Sequence, residues 1–310
     1  MDKTFKILAI DGGGIRGVFA AQILKRIKEE LNVEFFREFE IIAGTSTGSI
    51  IAAGLAIDYP VEKIVNLYKT EGKSIFHHNY SDSFNWLNWK SFFKSKYDSK
   101  YLKEVLNNIF HDLTLSQTKT RLIIPSSDIS NGNVFVFKSN YDPNFVRDKD
   151  IKLADAILAS CSAPIFFNPA KVKEYLLADG GLWANNPSLV ALTEAMGRRF
   201  NKRKEEIKIL SLGTGIGKKY YDPKDYHKNW GLRQWGAGLV STVMNLQSTN
   251  VDNIVGFILD GEERFVRLNF ETDCDVALDD IDAVDNLIAR ADEKFTYNIN
   301  KIKKFLKGGN

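Results

Sequence analysis

Apolar residues follow two spacings along the chain, one typical of strands and one of helices. Phe5 to Ile10 is a short apolar run that predicts a strand. Beyond a glycine-rich stretch, Val18 to Leu31 places Ile23, Leu24, Ile27 and Leu31 on one face of a predicted helix. The pattern repeats: Phe39 to Ala43 predicts a buried strand, and Ser49 to Ile57 an apolar helix. Pro60 suits the first turn of a helix over 60–72, and Ser99 suits the N-cap of a helix ending at Phe110. Strands are predicted at 121–125, 133–138, 175–178, 207–212 and 264–269. Helices are predicted at 151–160, from Asn186-Pro187 to Phe200, at 232–259 and at 279–306. This alternation predicts an α/β fold with three α/β/α layers and a mostly parallel central sheet. No repeat, low-complexity segment or linker interrupts residues 1–310, so a single domain is expected. Only 76–97 departs from both spacings. Its aromatic residues, Trp86 and Trp89 among them, show no clean period and read as an insertion or lid.

Composition narrows the function classes. Of 310 residues, 44% are hydrophobic, enough for a full core. Lys and Arg number 42 against 39 Asp and Glu; a net charge of +3 gives no general attraction to nucleic acid. Cys161 and Cys274 are too few for a disulfide framework and too isolated for a zinc site, so a reducing cytoplasmic setting is expected. The start, Met1 to Lys6, lacks the apolar stretch of a signal peptide, and no run of about 18 apolar residues predicts a membrane span. No ligand spacing for a metal and no cofactor motif beyond one glycine loop is present. Oligomeric state is left open.

Three segments carry candidate chemistry. Gly44-Thr45-Ser46-Thr47-Gly48 lies between a predicted strand and a predicted helix, the setting of a nucleophile elbow. Such a turn lifts the serine hydroxyl clear of the sheet, with a helix N-terminus behind it to favour negative charge. A Gly-Ser turn without chemistry is the competing account. The loop from Asp11 to Gly17 contains Gly12, Gly13 and Gly14, whose bare amides suit an oxyanion or a phosphate. Gly12, Gly14 and Gly17 also match a dinucleotide fingerprint, which wants an acid at the end of the next strand. Glu38 and Glu40 stand at its start instead. Arg16 either adds positive potential here or is a solvated loop arginine. Asp179-Gly180-Gly181 ends an apolar strand, where ligands of α/β sheets gather, although Asp-Gly is also a common turn.

In this order, Asp11-Gly-Gly-Gly-Ile-Arg-Gly17, Gly44-Thr-Ser-Thr-Gly48 and Asp179-Gly-Gly181 resemble the patatin-like phospholipase family. Ala159-Ser-Cys-Ser-Ala-Pro164 and Ser211-Leu-Gly-Thr-Gly215 agree with it, so the resemblance covers about residues 5–215. It implies a lipid acyl hydrolase with a Ser–Asp dyad: Ser46 attacks the acyl ester, Asp179 takes its proton, and Gly12, Gly13 and Gly14 hold the oxyanion. Gly17, Gly44, Gly48, Gly180 and Gly181 are then motif glycines that shape the turns, and neither metal nor cofactor is implied. The alternatives are a triad through His227, which sits in a polar stretch resembling a surface loop, and a non-catalytic nucleotide- or lipid-binding module.

A lipid hydrolase working from water needs a docking surface. Trp86 and Trp89 with Lys90, Lys94 and Lys96 suit transient contact with an anionic membrane, and equally suit an insertion packed on the body. The opening motif also resembles bacterial members of the family that cyclic nucleotides activate in antiviral defence. That implies a cyclic nucleotide activator, for which 216–260, with Lys218, Lys219, Tyr220, Tyr221 and Trp230, is the candidate region.

Overall fold

The computed structural model describes residues 4–75, 95, 97–217, 223–227, 235, 238–272 and 276–307. Eight strands form one sheet: β1 (Phe5–Ile10), β2 (Ile41–Gly44), β3 (Arg121–Asp128), β4 (Asn133–Lys138), β5 (Ala170–Val172), β6 (Tyr175–Asp179), β7 (Ile207–Leu212) and β8 (Phe265–Leu268). Their order is β5-β6-β3-β2-β1-β7-β8, with β4 also on β3. Strands β3, β2, β1, β7 and β8 are parallel, while β4, β5 and β6 are antiparallel to their neighbours. The sheet is therefore mostly parallel, as its alternating pattern predicts.

Helices cover both faces, and strand alternation decides which residues meet them. Leu8, Ile10, Ile42, Leu122 and Leu210 face one layer of helices: α1 (Gly17–Leu31), α2 (Thr47–Ala56), α3 (Val61–Thr70), α4 (Ser99–Phe110), α5 (Leu153–Cys161) and α8 (Val284–Lys307). Ile7, Ala9, Ile41, Ala43 and Ile209 face the other layer, formed by α6 (Ser188–Met196) and α7 (Gly238–Leu259). Helix α2 is buried along its whole length, which explains why it is apolar all round. The cap of α4 is Asp98, not Ser99: its side chain accepts the Lys100 N–H at 2.9 Å.

The antiparallel part bears most on the site. β3 runs past its predicted end at residue 125 to Asp128 and turns back as a hairpin through Asn131-Gly132. Gly132 takes φ +67 there, a conformation this turn requires. On the opposite edge, β3 pairs with β2 through Arg121–Ile123 and with β6 through Ser126–Asp128. Since β4 occupies the other side over Ile123–Asp128, β2 and β6 share one edge of β3 and run toward each other. Their ends, Ala43 opposite Ile123 and Asp179 opposite Ser126, lie about 10 Å apart along β3.

Two glycines make the turn after β2 possible. A Cβ on Gly44 would meet the Gly48 carbonyl oxygen at 2.2 Å, and one on Gly48 would meet the Ile10 and Asp11 carbonyl oxygens at 2.4 and 2.6 Å. Backbone on β1 cannot give way. Gly48→Ala, which on an open helix would stabilise, is expected here to cost about 1–3 kcal/mol. A urea-denaturation midpoint equal to or above that of the wild type would contradict this packing.

Candidate active site

The head-on approach of β2 and β6 brings together two side chains 133 residues apart. Ser46 Oγ donates to Asp179 Oδ2 at 2.7 Å. Both residues are buried, at 6% and 2% exposure. Ser46 adopts φ 52 and ψ −127, a strained conformation for a residue with a side chain. It caps α2, so the first turn of that helix lies behind its oxygen. Ser46 N–H donates to Ser160 Oγ at 2.9 Å, and Ser160 in turn donates to the Pro125 carbonyl at 2.6 Å. The Ala159–Pro164 block thus holds the elbow from the side.

Asp179 is fixed on every polar atom. Its N–H donates to the Ser162 carbonyl, Ser127 Oγ donates to its carbonyl, and the Gly181 N–H donates to its Oδ1 at 2.6 Å. Burial pushes its carboxyl up to about 7, with the bonds from Gly181 and Ser46 opposing that rise. The side chain therefore titrates where a proton acceptor for neutral-pH chemistry is useful. It also raises the buried Cys161 thiol nearby, whose own desolvation is the larger cause.

The glycine loop lies beside this pair at the ends of β1 and β7. Gly12 N–H donates to the Asn185 carbonyl at 3.0 Å, so it is not free to meet an oxyanion. The carbonyls of the next two peptides are tied back. Thr214 Oγ1 donates to the Gly12 carbonyl at 2.6 Å, and Arg16 donates to the Gly13 carbonyl through its N–H and its Nε, both at 3.2 Å. In a trans peptide the N–H points opposite its carbonyl, so the Gly13 and Gly14 amides are turned away from these anchors. Neither has an acceptor among the described residues. Arg16 is buried at 2% exposure, which excludes the solvated-arginine account; it braces the loop.

Gly17, at the start of α1, sits where a Cβ would strike the Tyr68 and Thr47 hydroxyls. Gly180 lies against the Pro125 carbonyl, and Gly181 against Asp179 and Asn185. Beside Ser46 lies an apolar cavity of about 60 Å³, lined by Ile15, Ile50, Leu102, Phe166, Phe167 and Met244 among others. His227 is exposed in the short turn Pro223–His227 and does not line this cavity, while Ser46 meets the Asp179 carboxylate directly. His77, His78, Trp86, Trp89, Lys90, Lys94, Lys96, Lys218, Lys219, Tyr220, Tyr221, Trp230 and Cys274 lie outside the described residues. Tyr97 belongs to the same aromatic run and is buried against Phe166 and Phe167. Among the described residues, no three His, Cys, Asp or Glu side chains gather as a metal site.

The patatin-like phospholipase family model matches residues 8–192, which is more than half of the chain. The chain belongs to the patatin-like phospholipase family. Among curated relatives it is similar to a cGAMP-activated phospholipase of Pseudomonas aeruginosa, 31% identical over 81% of this chain and 74% of that one. A cGAMP-activated phospholipase of Vibrio cholerae is 32% identical, covering 96% and 93%. A cUMP-AMP-activated phospholipase of Escherichia coli is 28% identical, covering 98% and 95%. This patatin-like phospholipase is therefore a hydrolase, and the dinucleotide-fingerprint account of its glycine loop gives way.

The phospholipase also depends on residues that carry no motif. Arg267 on β8 forms a two-pronged pair with Asp11, at 2.9 and 2.6 Å, donates to Ser211 Oγ at 2.8 Å, and lies 3.0 Å from Asp252 on α7. Asp252 accepts from Asn186 Nδ2, Gln247 accepts the Asn186 N–H, and Ser248 accepts from Asn185. One buried guanidinium thus joins the root of the glycine loop to α7. Burial raises both carboxyls against the pull of Arg267, Asp252 to about 6. Replacing Arg267 by Met leaves two buried carboxylates facing each other and is expected to cost about 3–5 kcal/mol at pH 7.5. Unpaired, both carboxyls bind protons more readily folded than unfolded, so the loss shrinks toward pH 5. Urea midpoints at the two pH values test this, and an unchanged midpoint at pH 7.5 would refute it.

Proposed function

We propose that this phospholipase cleaves fatty acyl esters of membrane phospholipids with Ser46 as nucleophile and Asp179 as base, and that a cyclic nucleotide switches it on. The observation that carries the chemistry is the 2.7 Å bond from Ser46 Oγ to a buried carboxylate. As Ser46 attacks the ester carbon, its proton passes to Asp179 Oδ2. Negative charge develops on the carbonyl oxygen and meets the Gly13 and Gly14 amides. Collapse expels the lysophospholipid alcohol, which takes the proton from Asp179 and leaves an acyl-Ser46. Water then attacks that ester, with Asp179 again as base, and frees the fatty acid.

Activation is supported by the names of the relatives and by the cavity beside Ser46. About 60 Å³ is far below the roughly 300 Å³ at which small-ligand pockets begin. The chemistry is assembled while little room for an acyl chain lies beside Ser46, so widening this cavity is the step left for a ligand to drive. The enzyme would work from the aqueous side of the cytoplasmic membrane; among the described residues no helix is long and apolar enough to cross a bilayer.

Fatty acid release from phosphatidylglycerol–phosphatidylethanolamine vesicles, with and without 3′,3′-cGAMP or cUMP-AMP, tests the proposal. Activity is expected to rise with one of these ligands. Ser46→Ala and Asp179→Asn should each lower it on the order of 10⁴-fold, and Ser46→Ala should escape fluorophosphonate labelling. His227→Ala should retain activity. Full activity in Asp179→Asn would overturn the dyad.

The pH dependence follows from the raised Asp179 carboxyl. The base form dominates only above about pH 7, so kcat/KM should fall as pH drops below that value. Folding favours the neutral acid, so ionisation lowers stability as pH rises from about 4 to about 7. Asp179→Asn should therefore melt above wild type at pH 8, with the gap narrowing at pH 5. A lower melting temperature at pH 8 would contradict this.

A further inference from the structure

A second, polar depression of about 370 Å³ opens at the N-terminal ends of β2 and β3, the edge of the sheet opposite the active site. Its walls include Phe36, Arg37, Lys119, Arg121, Asn140 and Tyr141. Arg37 and Lys119 lie 5.2 and 4.9 Å from the centre of the Phe36 ring. Arg121 lies 5.0 Å from the Phe200 ring and donates one guanidinium N–H to the Glu40 carbonyl at 3.2 Å; its Nε is buried with no acceptor. No carboxylate pairs with Arg37 or Arg121 among the described residues. Lys119 pairs at 2.9 Å with Asp58, but both are about half exposed and such pairs hold weakly. The lining carboxylate, Glu40, accepts the Lys6 N–H at 2.7 Å. Three cations thus converge on a space with one acid.

We infer that this basin is the receptor site for the cyclic dinucleotide, an inference that rests on the activation proposed above. The volume falls within the range of small-ligand sites. Two phosphodiester charges match the excess of positive charge, and the Arg121 guanidinium that lines the basin is a planar donor of the kind that phosphate oxygens accept. Phe36 and Tyr141 add aromatic surface to the lining, and the exposed Asn140 amide can read a base edge.

Its position gives the ligand a route to the catalytic pair. Phe39 and Glu40 lead directly into β2, which ends at Gly44 and delivers Ser46 two residues later. Arg121 is the first residue of β3, whose Ser126 and Ser127 hydroxyls donate to the Ala178 and Asp179 carbonyls. β2 and β3 thus both start at the basin, while β6, which carries Asp179, pairs with the far end of β3. A ligand that draws Arg121 and the Glu40 segment together therefore acts on both strands, and it activates to the degree that it binds the open form more tightly.

Equilibrium binding of 3′,3′-cGAMP, cUMP-AMP and cyclic di-GMP to the full chain, by calorimetry, decides the matter. The proteins are wild type, Ser46→Ala, Arg121→Ala and the double variant Arg37→Glu/Lys119→Glu. The double variant changes only exposed side chains, so it keeps the test valid should Arg121→Ala fail to fold. Ser46→Ala should bind as wild type does. Arg121→Ala should weaken binding about 10- to 100-fold, and the double variant at least about 100-fold. A cyclic dinucleotide that binds the wild type and the double variant equally would overturn the basin while leaving activation standing. Failure of all three to bind the wild type would overturn both.

Discussion

Ser46 can reach Asp179 because β2 is only four residues long. Had β2 continued beside β3, it would have filled the edge that β6 now takes at Ser126. The short strand leaves room for a returning strand to present a carboxylate from above. The same closeness desolvates that carboxylate, which is what lifts it to about 7. Topology therefore sets both the distance and the basicity. The strain at Ser46, the glycines at 44 and 48, and the hydroxyls of Ser126, Ser127 and Ser160 all serve to hold this one encounter.

A second constraint acts at the glycine loop. Amides can stabilise an anion only if their own carbonyls are held elsewhere, since a flexible peptide would turn its oxygen toward the solvent or the substrate. Arg16, Thr214 and Asn185 hold those carbonyls. Asp11, at the root of the loop, is held in turn by Arg267. The ion pair is buried and gains from two parallel bonds, the geometry in which such pairs withstand desolvation.

Much of this was legible in the order of residues. The strand-turn-helix setting of Ser46 follows from local apolar spacing alone, and so does the exposed place of His227 in a polar stretch. For Asp179 the sequence offers a rule for the ends of parallel strands, whereas β6 is antiparallel to β3. The Asn131-Gly132 pair signalled the hairpin that makes this half of the sheet antiparallel, and its meaning for the site emerges only from the register. Arg267 could not be found by any local signal. In Phe265-Val-Arg-Leu it looks like the polar side of an ordinary strand, and its partner Asp11 lies 256 residues away. Arg16 stands between two roles in the sequence because residue type does not reveal burial, and the Gly12 amide counts there among the oxyanion donors because a backbone partner such as Asn185 leaves no trace in residue type.

The family match ends at residue 192, and every recognised motif falls before residue 216. Yet the countercharge for Asp11 comes from β8, and the supports of Asn185 and Asn186 come from α7. The stretch that carries the signature is thus not a transferable part. A recombination event that moved it intact to another chain would deliver the nucleophile and the glycines without the cation beneath them, so inheritance of this chemistry requires inheritance of a tail that shares none of its recognisable lettering.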